Sequence, residues 1–138
     1  MSAPMNFVAT LTTDAGTVGN PTWADVEKAI GALDAKNQTL VILAPAAPKG
    51  PPDGEQHMGI GGGKDGRCVV YITDDNLQFW NLEDPSKSGM RQRILMMVGG
   101  QEGDYREAQC VPRQWAVKAA REYFEHGVRA RDLPWTQE

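Results

Sequence analysis

Gly59-Ile-Gly-Gly-Gly-Lys-Asp-Gly66 places Gly61, Gly63 and Gly66 in a G-x-G-x-x-G spacing, with Lys64 among them. Such a loop holds phosphate when a strand precedes the glycines and a helix follows, because the amides and the helix dipole then face the anion. Here the segment that follows, Arg67-Cys-Val-Val-Tyr-Ile-Thr73, is a β-branched strand. The glycines therefore read as a bulged hairpin rather than a phosphate loop. His57 and His126 are the only histidines, and Cys68 and Cys110 the only cysteines. Neither cysteine has a ligand at metal-site spacing, so no metal or cofactor is expected. A thiol–imidazole pair of Cys68 or Cys110 with His57 would need the fold to join them. Neither cysteine opens a helix, the setting that would lower its pKa. The acidic residues Asp74, Asp75, Glu83 and Asp84 lie in a segment without Lys or Arg. They read either as solvated turns or as a surface for a basic partner, and their spacing is not that of a calcium loop.

These residues must be positioned by a modest set of elements. Phe7, Ala9 and Leu11 alternate with Asn6, Val8 and Thr10 as in a half-buried strand, and Asp14 to Pro21 reads as a turn-rich loop. Thr22 with Asp25 predicts a helix start, and Trp23, Val26, Ile30 and Leu33 give it one apolar stripe. Thr39–Leu43 reads as a strand, and Pro45 to Gly54, with four prolines and two glycines, as a surface loop. Strands are expected over 57–61, 67–73, 77–82, 93–98 and 107–111, with a hairpin turn at Lys64-Asp65-Gly66 and a break at Gly99 to Asp104. Pro112 opens a last helix that ends near Gly127, and the tail closes on Leu133-Pro-Trp135. Short connections make this an α+β fold: an antiparallel β-meander of about six strands with two helices packed on one face. All 138 residues fit one domain.

Composition narrows the functions. Residues 1–111 carry nine basic and fourteen acidic side chains, whereas 112–138 carry five and four. This balance disfavours direct nucleic-acid binding, which needs a basic footprint, and suits a basic protein partner. No stretch approaches a membrane span, and the N-terminus lacks the features of a secretory signal, so a cytoplasmic location and reduced, buried thiols are expected. Trp23 and Trp115 lie on helix stripes. Trp80 alternates with Phe79, so one of these rings leaves the core if only one sheet face is covered, and Trp135 is placed to dock back from the tail. An exposed aromatic beside acidic turns is typical of a recognition surface. Asp74, Asp75, Phe79, Trp80, Glu83 and Asp84 are therefore the candidate partner-binding residues.

The Gly-rich hairpin is followed by Val98-Gly-Gly-Gln-Glu-Gly-Asp-Tyr105 and by Trp115-Ala-Val-Lys-Ala-Ala-Arg-Glu-Tyr-Phe-Glu-His-Gly127, closing on Leu133-Pro-Trp135. This pattern, over about the last 80 residues, resembles immunity protein family one of bacterial polymorphic toxin systems. The resemblance implies a cytoplasmic protein that binds and neutralises a cognate toxin, often a nuclease or a nucleic-acid deaminase, and it carries over no catalytic residues. Two other readings stand beside it. One is an adaptor that binds through Pro45–Pro52, and the other is a small hydrolase or transferase using Cys68 or Cys110 with His57.

Overall fold

The computed structural model describes residues 6–47 and 56–137. Two helices form where the apolar stripes place them: α1 (Trp23–Gly31) and α2 (Arg113–His126). Thr22 and Asp25 make a reciprocal cap at the start of α1. The Thr22 hydroxyl accepts from the Asp25 amide at 3.1 Å and the Asp25 carboxylate accepts from the Thr22 amide at 2.9 Å. This satisfies two of the donors that a helix start leaves open.

The strands are β1 (Val8–Thr13), β2 (Gly16–Gly19), β3 (Leu40–Pro45), β4 (His57–Gly62), β5 (Arg67–Thr73), β6 (Phe79–Leu82), β7 (Arg93–Val98), β8 (Gln101–Arg106), β9 (Val111–Pro112) and β10 (Trp135–Gln137). Eight of them form one antiparallel sheet in the order β10-β6-β5-β4-β3-β1-β2, with β9 also on β5. The run β3-β4-β5-β6 is the meander that short connections require. Cross-strand partners run Leu11, Leu43, Met58, Ile72 and Trp80 along one face. Both helices contribute buried side chains to the core on that face, among them Val26, Ile30, Ala116, Ala120, Tyr123 and Phe124.

Several segments differ from the sequence expectation. The turn-rich stretch after Thr13 contains β2, which doubles back on β1, and the Gly-rich break after Val98 contains β8, which pairs with β7. Glycine lowers strand propensity, but a tight hairpin supplies the pairing that propensity alone does not. The expected strand over 107–111 is a 3₁₀ turn at Glu107–Gln109 followed by the two-residue β9. In β1 the buried residues are Val8 and Leu11 rather than Phe7, Ala9 and Leu11, because a register shift between Val8 and Thr10 changes the strand's phase. Pro45 ends β3, and residues 48–55 of the proline-rich loop lie outside the described residues.

The β7–β8 hairpin forms its own sheet and packs across the face opposite the helices, where Met96 joins Val69 and Cys110 in a second small core. Gly61 permits this approach, since a Cβ there would overlap Val98. Gly63, at φ +102, closes the turn between β4 and β5 with its Cα against the Leu33 carbonyl. The 3₁₀ turn Lys64–Gly66 then leads directly into β5, so the glycines form a hairpin connection with no helix after them. Arg113, at the start of α2, ties this corner together by donating to the carbonyls of Gly31 (2.6 Å), Leu33 (2.8 Å) and Gly63 (3.3 Å).

Candidate partner-binding surface

The β5–β6 turn is built by its own side chains. Thr73, buried at the end of β5, donates its hydroxyl to the Gln78 carbonyl (2.7 Å) and accepts from the Asn76 amide (2.9 Å). The Asp75 carboxylate accepts from the amides of Leu77 and Gln78, both at 2.9 Å. Those backbone bonds, first from Gln78 and then from Leu77, hold its carboxyl below the ordinary value and keep it charged. Asp74 is exposed beside it and accepts from the Gln56 side chain at 3.3 Å.

The register separates the two neighbouring aromatics. Trp80 stands opposite Ile72 on the helix side of the sheet, whereas Phe79 stands opposite Thr73 on the other side. Phe79 there packs edge-on against Tyr71 with ring centres 5.5 Å apart, and the Tyr71 hydroxyl is 3.0 Å from His57 Nε2. Trp80 lies beyond the helices, at the floor of a groove of about 560 Å³. The groove is lined by Asp74 and Asp75 of the turn, by Arg129 and Arg131 of the segment after α2, and by Trp135 of β10. The Trp135 indole donates to the Ala130 carbonyl at 2.9 Å, which fixes the tail against the sheet. The Arg129 guanidinium sits over the Trp80 ring, 3.8 Å from its centre.

The candidate acidic segment thus divides. Asp74, Asp75 and Trp80 share the groove, while Glu83 and Asp84 lie at the far end of β6. Glu83 is 8% exposed and pairs with Arg106 at 2.6 Å. Asp84 caps a 3₁₀ turn, accepting from the Ser86 hydroxyl (2.7 Å) and amide (3.0 Å). The Ser86 hydroxyl bond leads in holding its carboxyl below the ordinary value. Both carboxylates are committed inside the chain. Sequence reasoning missed Arg129 and Arg131, because nothing in their local pattern links them to a turn more than fifty residues earlier.

Of the residues suspected of nucleophilic chemistry, His57 and Cys68 are kept apart. His57 stands opposite Thr73 and Cys68 opposite Gly62, five residues along β4, or roughly 17 Å of strand. Both thiols are buried. Burial pushes the Cys68 thiol up to about 11, despite the opposing pull of Arg113, and raises that of Cys110 as well. Among the described residues no group of three or more His, Cys, Asp or Glu is arranged to hold a metal, and no helix is long and apolar enough to cross a membrane.

Residues 14–137, from the β1–β2 turn to the end of β10, match the family described as immunity protein Imm1. The chain belongs to that family. The match covers both helices, the meander, the β7–β8 hairpin and every residue of the groove, including the segment after α2 with Arg129 and Arg131. Membership points to a toxin-immunity role and hence to a protein partner. No curated protein matches the chain.

Proposed function

We propose that this chain is an immunity protein that binds a cognate toxin and neutralises it by covering the active site, the toxin being a nuclease or a nucleic-acid deaminase. The Imm1 match over residues 14–137 carries the reading. Two features of the surface support it. Asp75 is held charged beside the exposed Asp74, and Trp80, with Arg129 stacked on its ring, lines the same groove. A toxin that acts on nucleic acid presents cationic residues to phosphates, and an acidic face opposite them speeds encounter. Asp74, Asp75 and Trp80 form the centre of the proposed contact. Phe79 sits on the opposite face, and Glu83 and Asp84 are held by Arg106 and Ser86 at the other end of β6.

The test is co-expression with the toxin domain encoded beside this chain, followed by binding kinetics of the purified pair. Wild-type chain protects the host, and Asp74→Asn with Asp75→Asn slows association at low salt while flattening its salt dependence. A host that still dies, with no complex formed, rejects the immunity reading. Protection with unchanged association rates at low salt removes the acidic turn from the contact.

A further inference from the structure

The groove carries a second charge, of opposite sign, and its wiring is unusual for this chain. Arg67, Arg93, Arg106 and Arg121 each pair with a carboxylate, and Arg113 donates to three carbonyls. Arg129 and Arg131 do neither: among the described residues they form no ion pair and donate no hydrogen bond. Arg91 shares that condition, but no aromatic ring holds it. Arg129 is held through the face of Trp80, which orders the guanidinium and leaves its N–H edge open. An ordered guanidinium with its donors unused is prepared for a planar, two-oxygen acceptor, since little side-chain freedom is left to lose on binding.

We infer that the Trp80–Arg129 stack is a receptor for a carboxylate side chain of the partner protein, with Arg131 lining the same groove and Asp74 and Asp75, also in its lining, meeting a basic side chain of the same partner. The inference rests on the immunity reading for the partner's identity, though not for the chemistry of the receptor. Charge decides between a carboxylate and a phosphate backbone. A nucleic-acid strand carries a charge every ~3.4 Å, so a strand laid through the groove would bring further phosphates against Asp74 and Asp75. One carboxylate does not meet that repulsion. A protein segment with both signs matches both charges of the lining.

The ¹⁵N-labelled full chain is titrated with N-acetylated, C-amidated Gly-Glu-Gly, with its Gly-Gln-Gly counterpart, and with a short single-stranded DNA, following the Trp80 indole N–H. That signal is assigned by Trp80→Phe. The Glu peptide shifts the signal with a dissociation constant on the order of 10–100 mM, as one charge-assisted contact allows. The Gln peptide does not shift it, and Arg129→Ala abolishes the response. No response to the Glu peptide overturns the inference. So does a stronger response to the DNA that Arg129→Ala abolishes, since that makes the stack a phosphate site. Against the neighbouring toxin, Arg129→Ala weakens affinity about tenfold or more, and Arg129→Lys restores only part of the loss. Protection and affinity equal to wild type in Arg129→Ala sink the receptor and leave the immunity reading intact. A responsive Trp80 in a chain that binds no toxin does the reverse.

Discussion

Replacing Asp14 by Ala removes three hydrogen bonds from one buried node. Its carboxylate accepts from the Thr39 amide (2.7 Å), the Thr39 hydroxyl (2.6 Å) and the Leu40 amide (2.9 Å). Thr39 is 1% exposed and in turn accepts from Gly100 through its hydroxyl (3.0 Å) and from Gly62 through its carbonyl (3.2 Å). One carboxylate thus orients the residue that ties β3 to β4 and to the β7–β8 turn. Charge-assisted bonds contribute roughly 1.5–3 kcal/mol each when well shielded, and a stranded buried amide costs about 1–3 kcal/mol. Asp14 itself is exposed, so the net loss is discounted to about 2 kcal/mol, or roughly 8 °C in Tm for a chain of this size. The pH dependence gives a second reading. Burial alone would raise this carboxyl, but the Thr39 side-chain bond and the Thr39 and Leu40 amides outweigh it and hold it below the ordinary value of 3.8. A carboxyl depressed by folding gives stability that is complete above its unfolded pKa and lost as pH falls through the folded one. The difference between wild type and Asp14→Ala, measured by urea unfolding at pH 7, 4 and 3, therefore shrinks with acid, and Asp14→Asn loses less than Ala. A gap below about 0.5 kcal/mol at pH 7, or one that stays constant to pH 3, refutes the account.

Arg113→Met keeps the aliphatic stem but leaves the carbonyls of Gly31 and Leu33 without this donor and that of Gly63 with the Gly66 amide alone, so chemical unfolding should show a loss of about 2 kcal/mol. Wild-type stability in that variant would mean that water replaces the guanidinium without penalty. Cys68, buried and with its thiol pushed up to about 11, should resist a thiol reagent at pH 8 in the native chain and react fully in denaturant. Rapid native labelling there contradicts the buried placement. Glu83→Gln breaks the pair with Arg106 and should cost about 1 kcal/mol in stability, while leaving toxin association rates within twofold of wild type. A large kinetic effect returns Glu83 to the contact surface.

The sequence by itself determined the elements whose signals are local. Thr22 and Asp25 set the start of α1 through bonds between residues three apart, and Gly127 stops α2 where the apolar stripe ends. The apolar run Thr39–Leu43 and the β-branched run over 67–73 mark strands, which the structure places at Leu40–Pro45 and Arg67–Thr73. These patterns depend on side chains within a few residues of one another, so they are readable without the fold. Tertiary structure decided whatever depends on pairing between distant segments. β2, β8 and β10 exist because a neighbouring strand takes up their backbone groups, which outweighs the weak propensity of Gly16, Gly19 and Gly103. The same applies to the surface. Pairing with β5 decides which of Phe79 and Trp80 faces the helices, Arg106 comes from β8 to bury Glu83, and the segment between α2 and β10 lays Arg129 over Trp80. A run of acidic residues states how much charge a segment holds. Which of those charges face solvent is settled by partners far away in the chain, because burial and pairing are properties of space and not of sequence order.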